Sequence, residues 1–116
     1  MRTFTYHRGQ KLQPGQKLVG RTTRWGNPFP VEGKIDPLKP PRLVSHYAEK
    51  WGVSVESLIC KTDEEAVRRY REALEASRLD YTSDDVRRDL SGFDLGCPCA
   101  SFPCHATVLV EITPTE

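Results

Sequence analysis

The sequence predicts a compact α/β domain in which a small sheet is flanked by helices, and three observations carry that prediction. Residues 3–8 and 93–99 alternate apolar or β-branched side chains with polar ones, the two-residue period of strands. Between them, residues 42–51 and 62–77 switch to helical spacing. The chain has 116 residues, 37% of them hydrophobic, which is enough for one modest core and points to one domain spanning 1–116.

Taken in order, residues 3–8 read as a first short strand. A turn region at 9–15 leads to a second extended piece at Lys17, Leu18 and Val19. Residues 21–29 form a loop, because Gly26, Pro28 and Pro30 forbid regular structure, and Pro28 pushes Asn27 toward extended backbone. Gly33 with Pro37, Pro40 and Pro41 reads as a linker into an inserted segment, about 33–61. Within it Leu43, Val44, Tyr47, Ala48 and Trp51 share a helix face, and Gly52 is a good terminator. Residues 53–60 are apolar and ambiguous between a strand and a short helix.

Thr62 and Glu65 fit a capping box, with Glu65 reaching back to the cap. Ala66, Val67, Tyr70, Ala73 and Leu74 make the apolar stripe of the helix that follows, and Arg68, Arg69 and Arg71 sit mostly off it as a solvated face. Ser83 caps a short helix through Leu90, ended by Gly92. The strand at 93–99 then runs into the cysteines, where Pro98 denies a ladder hydrogen bond and predicts fraying or a sheet edge. After a turn at 100–103, residues 106–112 favour strand by propensity, although Val108, Leu109 and Ile112 also fit one helix face.

Formal charge is +1, from 17 basic and 16 acidic residues. No global field recruits nucleic acid or a membrane surface, so any anion binding must be local. No apolar run reaches the length of a membrane span, and the N-terminus lacks the apolar segment of a signal peptide. The expected location is the cytoplasm, where thiols stay reduced and cysteines serve as ligands, nucleophiles or buried thiols.

Three of the four cysteines and one of the three histidines fall within the nine residues from Cys97 to His105. Three readings fit them. Cys97, Cys99, Cys104 and His105 supply the three thiolates and imidazole of a tetrahedral zinc site, although adjacent Cys104 and His105 need unusual geometry to reach one ion. Alternatively, Cys104 is a functional thiolate at a helix start, with His105 holding or shuttling a proton. In the third reading, Cys97 and Cys99 are small core residues and His105 caps a turn. Cys60 stands apart in an apolar run and is expected to be an inert buried thiol.

The loop at 20–29 also has two readings. Arg21 and Arg24 could form a fork for phosphate or carboxylate, with Asn27 reading a polar edge and Trp25 offering a stacking face. Alternatively, Trp25 and Phe29 plug the core from a Gly-Asn-Pro turn and leave the arginines solvated.

The segment Gly20-Arg21-x-x-x-Trp25-Gly26-Asn27-Pro28-Phe29 and the segment Gly96-Cys97-x-Cys99-x-x-x-x-Cys104-His105 together resemble a family of small phage and bacterial proteins. That family is catalogued as domain of unknown function forty-three twenty-six. With the helix near Ala66 to Leu74, the resemblance covers the chain apart from 33–61, which it implies is a family-variable insertion. The family usually reads G-C-W-C and C-H-G-D, so this chain departs at Pro98, Ala106 and Thr107. A weaker resemblance to an α/β family with a C-x-E and C-H-R signature implies a Rossmann-like character, with ligands at the carboxyl ends of the strands.

The resulting expectation is a small enzyme or binder of a phosphorylated nucleotide- or nucleoside-like ligand. Arg21 and Arg24 would hold the anion, Trp25 and Asn27 would contact the ligand, and Cys104 with His105 would carry chemistry. A phage-encoded copy would work in the host cytoplasm. The rival expectation is a non-enzymatic interaction module built on a structural Cys₃His zinc site.

Overall fold

The sheet is organised around the last strand. In the computed structural model, which describes residues 3–6, 9, 11–20, 23–36, 38–97 and 105–112, three short strands pair in the order β1-β3-β2. β1 is Thr3–Thr5, β2 is Gln16–Leu18 and β3 is Asp94–Cys97. β3 runs parallel to both neighbours, with Thr3 and Lys17 opposite Leu95 on its two sides. The carboxyl ends of all three strands therefore lie at one end of the sheet. The central place of β3 differs from the edge position expected near Pro98. Among the described residues the ladder runs to Cys97, and Pro98 and Cys99 of the expected strand lie outside them.

A central strand buried on both faces demands close packing. Leu95 is fully buried. At Gly96 a Cβ would sit 2.3 Å from Cζ of Phe4, the residue opposite it on β1. The glycine leaves the space that the far edge of the Phe4 ring occupies beside the strand backbone.

The helices follow their sequence signals closely. α1 is Arg42–Trp51, and its Schellman-like end is closed by Gly52 at φ 66°, whose N–H donates to the carbonyls of Ala48 and Glu49. α2 is Asp63–Glu75, capped by Thr62, whose hydroxyl accepts from the Glu65 N–H at 3.1 Å. The Glu65 carboxylate reaches back one residue past the cap, to the Lys61 N–H. α3 is Ser83–Leu90, and its cap is Thr82 rather than Ser83, in a reciprocal capping box with Asp85. The ambiguous segment at 53–60 is neither a strand nor a long helix. It makes one 3₁₀ turn at Glu56–Leu58 and a bridge from Cys60 to Val31.

The last element, α4 (His105–Ile112), is helical despite its β-branched composition. Ala106, Val108 and Leu109 bury there against α2, α3, β3 and β1. That packing outweighs a strand propensity spanning only about 1 kcal/mol. Val44, Tyr47, Ala48, Leu58 and Cys60, all within 33–61, belong to the same core as these residues. Among the described residues no helix is long and apolar enough to cross a membrane.

α1 is tied to the α2–α3 connection through Asp80. One carboxylate oxygen lies 2.5 Å from His46 Nε2, the other pairs with Lys50 Nζ, and the Asp80 N–H donates to the Tyr47 hydroxyl. Partial burial would raise the Asp80 carboxyl, but hydrogen bonds from Lys50 and His46 outweigh it and hold the group below the usual carboxylate range. A depressed carboxyl contributes stability that is present above its unfolded value and lost as pH falls through its folded value. The stability gap between the wild type and Asp80→Asn is therefore expected to close as pH drops below about 4. A gap that stays constant from pH 7 to 3 in urea titrations would remove this role. At the sheet, Gly96→Ala should cost about 1–3 kcal/mol by forcing the Phe4 ring aside. Phe4→Leu should recover part of that loss, whereas strictly additive double-mutant energies would show that Phe4 is not the obstacle.

Candidate functional site

The two unusual segments meet where β2 ends. The Val19 N–H donates to the Gly96 carbonyl at 2.8 Å, extending the pairing one residue beyond β2. The Val19 carbonyl then faces His105, the first residue of α4, whose Nε2 lies 2.6 Å away. A carbonyl only accepts, so Nε2 carries the proton. His105 is 5% exposed, and its ring meets the Tyr70 ring edge-on at 5.3 Å.

From Tyr70 a buried chain of aromatic groups runs to the arginine turn. The Tyr70 and Tyr81 hydroxyls pair at 2.7 Å, and Tyr70 also donates to the Trp25 carbonyl at 3.4 Å. The Tyr81 ring packs on Trp25 with centroids 4.7 Å apart. Arg24 closes the chain on the solvent side, its guanidinium 4.7 Å from the Trp25 centroid and 5.6 Å from that of Tyr81. Burial pushes the Tyr81 hydroxyl far above the ordinary tyrosine range, so it remains a neutral donor.

The turn itself is held by backbone. Thr23 bonds the Gly20 carbonyl through both its N–H and its hydroxyl, and the Gly26 N–H donates to the Thr23 carbonyl. Asn27 is 5% exposed. Its Oδ1 accepts from the Phe29 N–H at 2.9 Å, an Asx turn around Pro28, and its Nδ2 donates to the Ala66 carbonyl on α2 at 3.1 Å. The amide expected to read a ligand thus fastens the turn to α2. Trp25 and Phe29 are 5% and 4% exposed, as the plug reading expects. Arg24 is exposed and forms no ion pair among the described residues.

Cys97 closes β3, at the same end of the sheet as Val19 and the start of α4. Arg21, Cys99 and Cys104 lie outside the described residues. The Cys₃His set depends on thiols there, and among the described residues no group of three or more His, Cys, Asp and Glu is placed to hold a metal. Cys60 is fully buried, and burial pushes its thiol up despite Arg69 Nη1 at 3.7 Å. Its expected inertness has that physical basis.

Tyr70 and Tyr81 are the members of this site that sequence reasoning missed. Tyr70 sits on the apolar stripe of α2, where only its hydroxyl signals more than packing. A buried phenol needs a hydrogen-bond partner, and Tyr81 provides it.

Residues 3–115 match the family described as a domain of unknown function (DUF4326), and the chain belongs to that family. No curated protein and no solved structure matches the chain.

Tyr70→Phe leaves the Tyr81 hydroxyl buried beside a ring and is expected to cost about 1–3 kcal/mol. The Tyr70→Phe/Tyr81→Phe double variant should lose less than the sum of the single losses, because no orphaned hydroxyl remains. Additive losses in chemical denaturation would dissolve the pair as an energetic unit.

Proposed function

We propose that the carboxyl end of the sheet binds a phosphorylated, nucleotide- or nucleoside-like ligand, with Cys104 and His105 as the groups available for chemistry on it. The observation that carries this reading is the hydrogen bond from His105 Nε2 to the Val19 carbonyl. It puts His105, the last residue of the cysteine–histidine motif, against the residue that precedes the arginine turn. Arg24 offers an exposed guanidinium held over Trp25, and Arg21 stands three residues before it in the sequence. Such a planar fork suits a phosphate oxyanion. The start of α4 adds the positive end of the helix dipole, which favours both a bound anion and a thiolate. With Nε2–H fixed on Val19, Nδ1 is the ring atom of neutral His105 that accepts a proton. In an enzyme of this kind, the Cys104 thiol would lose its proton to a neighbouring base and act as the nucleophile.

The same hydrogen bond gives a zinc site its strongest argument. A zinc-bound histidine commonly donates its other ring N–H to a backbone carbonyl, as His105 does to Val19. His105 Nδ1 would then join Cys97, Cys99 and Cys104 as a ligand, in a structural module. Both readings require reduced thiols and therefore a cytoplasm, that of the host where the protein is phage-encoded.

Elemental analysis with pH-resolved alkylation separates the two. The nucleotide reading expects metal-free protein whose Cys104 reacts with iodoacetamide well below pH 8.5, the rough value of a free thiol, while Cys60 stays unlabelled. One equivalent of zinc, with labelling of Cys104 only after chelation, would establish the module instead. In thermal-shift titrations with a panel of nucleoside phosphates, Arg24→Ala should weaken the stabilising ligand by about tenfold. Loss of its contact with Trp25 should cost the fold only about 0.5–1 kcal/mol. A panel that produces no shift in the wild type would end the ligand proposal.

A further inference from the structure

We infer that the groove between the end of α1 and the outer side of α2 is a second binding site, for a small aryl anion: a planar apolar group carrying a phosphate or carboxylate. This inference stands apart from the Cys–His site and does not rest on it.

The groove encloses about 470 Å³, within the range of small-molecule sites. Phe29 and Trp51 contribute to its lining and stack with centroids 5.6 Å apart and planes 22° from parallel. Each ring carries an arginine. The Arg69 guanidinium lies 4.6 Å from the Phe29 centroid, and that of Arg78 lies 5.0 Å from the Trp51 ring. Ala73 on α2 and Ala76 just after it leave room there, and Val53, 42% exposed, adds apolar surface.

The charges in the groove are unbalanced. Several other arginines meet carboxylates: Arg71 with Glu111, Arg87 with Asp84, and Arg88 with Asp85 and Asp89. Arg69 and Arg78 form no ion pair among the described residues. Arg69 uses donors on the Ser57 carbonyl at 3.1 Å and, weakly, on Cys60 Sγ. The Arg78 guanidinium makes no hydrogen bond there, while its backbone carbonyl accepts from the Trp51 indole N–H at 3.0 Å. Both forks are thus oriented by aromatic contact and retain N–H groups for an oxyanion. That preorganisation lowers the ordering cost of binding one. Glu72 also lines the groove, its carboxylate 3.9 Å from Arg68 Nε. It opposes an anion and sharpens the test.

The chain has two tryptophans, so their indole N–H resonances report separately on the two sites. Phenyl phosphate titrated into ¹⁵N-labelled protein is expected to shift the Trp51 indole and the Ala73 and Ala76 amides saturably. Arg78→Gln, which removes no hydrogen bond within the described fold, should weaken this binding by about tenfold. Glu72→Gln should tighten it, an effect that a purely structural role for the arginines would not give. Phenol and inorganic phosphate, each lacking one half of the ligand, should bind more weakly than phenyl phosphate. Equal binding of either, an unmoved Trp51 resonance, or unchanged affinity in Arg78→Gln would overturn the inference. A shift at the Trp25 indole alone would do the same, while favouring the ligand proposed at the arginine turn.

Discussion

A buried imidazole donating to the carbonyl at the end of β2 fixes how the two halves of this molecule meet. His105 begins α4 and Val19 is the last residue before the Gly20 turn, so one hydrogen bond joins segments 86 residues apart. Inside the protein, away from competing water, such a bond is strong and its loss would leave a buried carbonyl unsatisfied. The position of α4 over the sheet, the tautomer of His105 and the root of the arginine turn all depend on it.

Around that bond the packing is specific on both sides. At the sheet, Gly96 admits the Phe4 ring where any Cβ would collide. On the helix side, the Tyr70–Tyr81 hydroxyl pair lets two large rings bury without leaving a polar atom unmet. Asn27 uses its amide in the same way, satisfying its own turn and the Ala66 carbonyl together. These polar groups select one arrangement of an otherwise apolar core, because each has few alternative partners within reach.

Local rather than global electrostatics distinguishes the surface. The formal charge is only +1, yet Arg24, Arg69 and Arg78 are each held against an aromatic ring. Trp25 and Phe29 belong to one short turn but support different arginines, so the turn contributes to both the proposed sheet-end site and the α1–α2 groove. Stacking keeps the guanidinium planes in place and leaves their edges available for oxyanions.

The sequence by itself determined the elements whose signals are local. Thr62 capping α2, Gly52 ending α1 and the alternation leading into Cys97 all act within a few residues, where backbone sterics and short-range hydrogen bonds decide the outcome. The two motifs that carry the family resemblance were legible for the same reason, and so was the burial of Trp25 and Phe29. Tertiary structure decided what depends on distant neighbours. It made β3 the central strand, because pairing partners 92 and 78 residues away leave no local trace. It made α4 a helix, because the surfaces of α2, α3 and the sheet reward one buried face more than β-branching disfavours it. It turned Asn27 inward and joined Tyr70 to Tyr81. The partner of a buried polar group is chosen by the packing of the whole chain, and side-chain type alone reveals only that a partner is needed.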